Sequence, residues 1–144
     1  MPVYFDASVM LSLLTQDCRA AKAATLWHAH EDRVSSILVE AECRIVLRRL
    51  HRRQPTRYDL AWLAHAEAVL AQALDELTLR VIDTLILDIV RQEMQLASCR
   101  TLDALHVATA LFFTQRNTTP IQMCTFDRRL AAVCADVAIP VLAA

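Results

Sequence analysis

The chain has 144 residues, 56% of them hydrophobic, with a formal net charge of −1 and a mean hydropathy of +0.31. That length suits one domain, 1–144, with a sizeable core, and no uncharged apolar run reaches the roughly 18 residues of a membrane span, so no membrane association is expected. Asp6 interrupts any apolar leader, which makes the expected location cytoplasmic, and the lack of any glycine excludes Gly-rich phosphate loops.

In chain order, "PVYF" reads as a strand at 2–5, followed by helices near 8–15 and 17–31 and a short strand at 33–35. A helix from about 37 to 53 stops before Pro55. Thr56 and Asp59 resemble a capping box that opens a helix to about 75, with Leu60, Leu63, Leu70 and Leu74 on one face. "LTLRVI" at 77–82 is a strand, 84–97 a helix, 102–116 a helix with Thr101 as its N-cap, "QMCT" at 122–125 a strand, 128–135 a helix and "PVL" at 140–142 a last strand. Strands separated by helices imply crossovers and a mostly parallel central sheet flanked by helices: a single compact α/β/α domain of the α/β class. Cys18, Cys43, Cys99, Cys124 and Cys134 have no Cys-x-x-Cys pairing and read as buried small hydrophobes, not as zinc ligands or disulfides.

Parallel sheets bind ligands beyond the carboxyl ends of their strands, so acids just after a strand or just inside the next helix are the candidates. Asp6 in "VYFDAS" and Asp127 in "CTFDRRL" follow strands, and Asp103 in "CRTLDALHVATAL" lies in a first helical turn. Each also fits a plain helix-capping or dipole role. Glu42 has Leu38, Ile45 and Val46 at helical spacing, which puts it on an apolar, inward face where a carboxylate needs a partner. Glu40 points about 200° away and has Arg44 at i+4, so it reads as a solvated ion pair. Four converging carboxylates require a cation, and oxygen-only ligation suits Mg²⁺ or Mn²⁺ with phosphodiester hydrolysis as the chemistry.

The ordered set "VYFDAS", "SSILVEAECRIVLRR", "TLDALHVATAL" and "TFDRRLAAVCADVAIPVL" resembles the PIN-domain ribonucleases, most closely the VapC-type toxins of bacterial toxin–antitoxin pairs, from residue 2 to about 142. The resemblance implies a PIN-like fold and Mg²⁺- or Mn²⁺-dependent endoribonuclease activity. It implies metal-binding, catalytic acids at Asp6, Glu42, Asp103 and Asp127, a homodimer, and inhibition by a cognate antitoxin protein. Ser8 and Thr125 hold the polar positions that lie beside the first and last acids in the family. A glycine usually precedes the final "IPVL" there, where this chain has Ala138. In this reading the ion binds the scissile phosphate of RNA and an ionised water attacks, leaving 5′-phosphate and 3′-hydroxyl ends. The basic stretch "RIVLRRLHRRQPTR" offers Arg44, Arg48, Arg49, Arg52 and Arg53 as RNA contacts, against the plainer reading of a solvated helix face. His106, one turn after Asp103, reads as a satisfied core histidine. The competing readings are a non-catalytic RNA- or protein-binding module, and an aspartyl-phosphate enzyme using Asp6, for which the second acid and a suitably placed lysine are missing.

Overall fold

The computed structural model describes residues 1–116 and 118–142. Among them five strands and seven α-helices alternate: β1 (Val3–Phe5), α1 (Ala7–Thr15), α2 (Ala20–Ala29), β2 (Arg33–Ser36), α3 (Leu38–Arg53), α4 (Leu60–Asp75), β3 (Thr78–Arg80), α5 (Thr84–Gln92), α6 (Thr101–Arg116), β4 (Gln122–Cys124), α7 (Arg128–Asp136) and β5 (Val141–Leu142). The sheet order is β3-β2-β1-β4-β5 and every pairing is parallel. Strand β1 therefore lies in the middle with all three residues buried, as the uninterrupted "VYF" requires of a strand covered on both faces.

Alternation along β1 divides the core into two layers. Val3 and Phe5 pack with Val9, Met10, Trp27, Val39, Cys43, Leu47 and Leu70 from α1 to α4. Tyr4 points the other way, into Ile86, Ile89, Val107, Leu111, Leu130 and Val133 from α5, α6 and α7. The result is the expected α/β/α sandwich. The sequence of connections reverses direction at β1 and β4, because β1 leads outward to β2 while β4 leads outward to β5 on the other side. The carboxyl ends of these two neighbours form the switch point at which such sheets bind ligands.

The expected helix 17–31 shortens to Ala20–Ala29 and the strand 77–82 to Thr78–Arg80, and three further boundaries move. Helix α4 starts at Leu60, capped by Asp59, whose carboxylate accepts the Trp62 amide; Thr56 is not the cap, because 55–57 form a turn. That turn closes with Tyr58 N–H donating to the Gln54 carbonyl at 2.8 Å. The segment 84–97 is not one helix: the backbone is extended at Glu93 and resumes as a 3₁₀ turn, Met94–Ser98, that buries Leu96. No proline or glycine marks this break in the sequence. Thr101 is the first residue of α6, not its cap, since the Arg100 carbonyl accepts the Ala104 amide. Cys43, Cys124 and Cys134 are buried, and burial pushes their thiols up to about 12; Cys99 is half-buried and Cys18 is exposed in the α1–α2 connection, against the expectation for both.

Without glycine, two helix ends use other residues in the left-handed region: Gln16 after α1 (φ 55°) and Ala138 after α7 (φ 61°). At Ala138 the amide donates to the Ala135 carbonyl and the Ile139 amide to Cys134, a Schellman closure whose αL position favours glycine. The conformation costs an L-residue about 1–2 kcal/mol, while glycine costs about 0.4–1 kcal/mol through the freer unfolded chain. Ala138→Gly should therefore raise stability by about 0.5–1 kcal/mol in urea unfolding. A loss would show that the turn tolerates alanine without strain.

Candidate functional site

Asp6 is the residue at which β1 becomes α1. Its backbone is extended, as at an N-cap, and it is 4% exposed. Its Oδ1 accepts the Ser8 amide (3.0 Å), the Val9 amide (3.3 Å) and the Ser8 hydroxyl (2.6 Å), and its Oδ2 accepts the Thr125 hydroxyl (2.6 Å). Each hydroxyl is engaged a second time from the segment after β4: Ser8 Oγ accepts the Phe126 amide at 2.9 Å and Thr125 Oγ1 accepts the Asp127 amide at 3.0 Å. Ser8 and Thr125 thus fasten the end of β1 to the end of β4. Burial pushes the Asp6 carboxyl up, opposed by the hydrogen bonds from Ser8 and Thr125.

Asp127 caps α7, its Oδ1 accepting the amides of Arg129 (2.9 Å) and Leu130 (3.3 Å). Asp103 lies in the first turn of α6 with 19% of its side chain exposed, and Arg100 Nε approaches it at 3.7 Å. Its carboxyl is raised by burial first, then by the negative charge of Asp127 and also of Glu42, with Arg100 and His106 opposing. Those repulsions bring three of the expected acids into one electrostatic neighbourhood.

Glu42 is placed differently from its expectation. The core side of α3 is Val39, Cys43 and Leu47, whereas Glu42 is half-buried and Ile45 is 49% exposed. Leu38, Glu42, Ile45 and Val46 line an open groove of about 560 Å³ that also takes in Arg49, Arg100, Leu102 and Asp103. The apolar spacing that marked an inward face marks the wall of this groove. Glu40 holds Arg44 at 2.7 Å, as expected.

What holds Glu42 is His106, whose Nε2 hydrogen-bonds Glu42 Oε1 while its Nδ1 bonds the Tyr4 hydroxyl at 2.6 Å. A carboxylate only accepts, so Nε2 is the donor toward Glu42, and the second ring nitrogen is satisfied by the Tyr4 hydroxyl. His106 is 1% exposed and is a satisfied core histidine, in line with its sequence context, but it is also the residue that orients Glu42. The sequence marks Tyr4 only as a core strand residue. Its position two before Asp6, on the same side of β1, is the signal that could have singled it out.

The candidate arginines divide. Arg48 pairs with Glu67 at 2.7 Å and Arg44 reaches the same carboxylate at 3.5 Å, so both are largely neutralised across α3 and α4. Arg49 lines the groove beside Glu42, and Arg52 and Arg53 are exposed, with no ion pair to any described residue.

As donors the four acids suit a hard cation. Glu42 Oε2, Asp103 Oδ1 and Asp127 Oδ2 have no hydrogen-bond partner among the described residues, and Asp6 Oδ2 has one. Among the described residues no three His, Cys, Asp or Glu side chains are gathered into a ready cage for an ion.

A model of the PIN domain matches residues 3–136, and the chain belongs to the PIN-domain family. Among solved structures it is similar to a chain of a toxin–antitoxin complex from Klebsiella pneumoniae, with a TM-score of 0.61 at 18% identity over 98% of this chain and 96% of that one. No curated protein matches the sequence at significance.

Two outcomes are expected here. Tyr4→Phe removes the hydrogen-bond partner of a buried imidazole nitrogen, and urea unfolding should show a loss of about 1–3 kcal/mol. Asp103 has a raised carboxyl, so its ionised form is a defect of the native state; the defect is complete above the raised folded pKa and absent below the unfolded value. In chelator, Asp103→Asn should melt above wild type at neutral pH, and the gap should close as pH falls through the raised pKa toward the ordinary carboxylate range. A gap that is constant across this window would mean that Asp103 is not repelled.

Proposed function

We propose that the protein is a divalent-metal-dependent endoribonuclease, a VapC-type toxin held in check by a cognate antitoxin. The observation that carries the reading is that Glu42 from α3 and Asp103 from α6 line one groove, with Asp127 near enough for its charge to raise the Asp103 carboxyl. Membership of the PIN family supports hydrolysis of phosphodiesters, and the toxin–antitoxin assembly of its structural neighbour supports an antitoxin partner. The whole chain, 1–144, is read as one such domain, acting in the cytoplasm as a homodimer on RNA. No described helix is long and apolar enough to cross a membrane.

In this reading Asp6, Glu42, Asp103 and Asp127 hold Mg²⁺ or Mn²⁺. When bound, the ion supplies charge neutralisation at the scissile phosphate and a water of lowered pKa. The protein's own share is orientation. Asp6 is immobilised by Ser8, Val9 and Thr125, and Glu42 is turned toward the groove by His106. Arg49 and Arg100 line the same groove and would draw an anionic strand toward the acids. A role for Asp6 as phosphorylated nucleophile is disfavoured, because the residue two after it is Ser8 and not a second acid.

The test is cleavage of labelled RNA with Mn²⁺ and with chelator. Outer-shell changes around metals cost about 10–100-fold, so loss of a ligand in Asp6→Asn, Glu42→Gln or Asp103→Asn should cost at least about a hundredfold, with far-UV circular dichroism unchanged. Glu40→Gln should cut at the wild-type rate. Saturating Mn²⁺ should stabilise wild type by about 2.7 kcal/mol at a hundredfold excess over Kd, and the three variants by much less. RNA that stays intact with wild type in Mn²⁺ would refute the nuclease reading and favour a binding module.

A further inference from the structure

A second cavity, of about 260 Å³, opens on the other flank of Asp127 and is lined by Arg19, Lys22, Phe126 and Arg128. Three cations share its wall with no acid, in a chain whose net charge is −1. Arg19 is fixed there: its Nη1 donates to the Phe126 carbonyl at 3.3 Å and its guanidinium carbon lies 5.4 Å from the Phe126 ring centroid. The nearby Asp17 makes no ion pair with its guanidinium: one oxygen accepts the Arg19 backbone amide (2.9 Å) and the other the Ser12 hydroxyl (3.1 Å). The Lys22 and Arg128 side chains are exposed and make no ion pair with any described residue, unlike Arg44 and Arg48 on α3. The cavity also adjoins the acids through the chain itself. Phe126 and Arg128 flank Asp127, and the Phe126 amide is bound to the same Ser8 hydroxyl that donates to Asp6.

We propose that this cavity binds a backbone phosphate of the RNA strand adjacent to the one that is cut. The placement relative to the cut rests on the nuclease reading; the anion site itself does not. Convergent, unpaired cations with one rigidly oriented guanidinium are the chemistry of phosphate recognition, and they confer affinity without base preference. The strand would then run from the groove of Glu42 and Asp103, across the acids, to the Arg19 cavity, so that a phosphate on each side is held by cations while the middle one meets the carboxylates.

The experiment measures binding of a labelled single-stranded RNA by fluorescence anisotropy in chelator over a range of KCl concentrations, for wild type and for the double variant Lys22→Gln/Arg128→Gln. Both positions are exposed, and an unchanged melting temperature would verify the fold. The slope of log K against log salt should become shallower by about 0.7 for each phosphate that the variant no longer neutralises. Equal slopes would overturn the proposal. Inorganic phosphate, matched with chloride for ionic strength, is the second arm. If phosphate raises the melting temperature of wild type but not of the double variant while the RNA slopes stay equal, the cavity holds a free anion and the RNA assignment fails. Cleavage in Mn²⁺ is read separately: slopes that differ without any cleavage by wild type would sink the nuclease reading and leave the phosphate cavity standing.

Discussion

The Asp6 carboxylate is the joint on which the acid-bearing end of the molecule depends. It ends the central strand, caps the first helix and, through the hydroxyls of Ser8 and Thr125, ties the neighbouring strand end in place. Strands β1 and β4 share only three residue pairs, and the backbone hydrogen bond closing their ends, from the Asp6 amide to the Cys124 carbonyl, is 3.3 Å long. Side-chain bonds to an ionised acceptor are stronger than neutral ones, and here they continue the pairing past the point where the ladder stops. The same bonds position Asp127, since its amide is the second partner of Thr125. The cap of α1 and the tether between the two strand ends are therefore one residue.

That dual role sets the electrostatics. A buried carboxylate with four donors can stay ionised, but every further acid nearby raises the cost of the charged state. The chain distributes the problem among different partners: backbone amides for Asp6 and Asp127, the guanidinium of Arg100 for Asp103, and an imidazole for Glu42. Only the imidazole is itself buried and supported, by a tyrosine from the central strand. Glu42 is thus aimed by the core, while Glu40, two residues earlier, is aimed at solvent by Arg44. The difference between the two glutamates lies in what stands opposite them.

Much of this was legible in the sequence, for identifiable reasons. The buried "VYF" and the alternation of strand and helix left few arrangements besides a parallel sheet between helices, and acids at strand ends stood out against apolar neighbours. What escaped was anything decided by a partner distant in the chain. Leu38, Ile45 and Val46 looked like core because periodicity separates faces of a helix but does not say whether a face meets the core or a groove. Arg44 and Arg48 looked like an RNA track because Glu67, which neutralises them, arrives from the next helix. Tyr4 and His106 are 102 residues apart, and no local pattern announces a bond between them.

The distribution of positive charge follows from the same fact. With 15 basic and 16 acidic residues the chain has no field to steer a polyanion, so its basic side chains matter by whether an acid reaches them first. Along α3 an acid does reach the first two, because α3 and α4 pack side by side and Glu67 faces their seam. At the start of α2 and α7 none does: Asp17 has turned its oxygens onto the backbone and a serine, and Asp127 has turned one of its own onto the cap of α7. A capping acid can still take a cation on its second oxygen, as Asp83 does with Arg80 at 2.8 Å, so the pairing is decided by which cations lie within reach. At the starts of α2 and α7 no described acid comes within ion-pair distance of Arg19, Lys22 or Arg128, so their charges stay unpaired among the described residues beside Asp127.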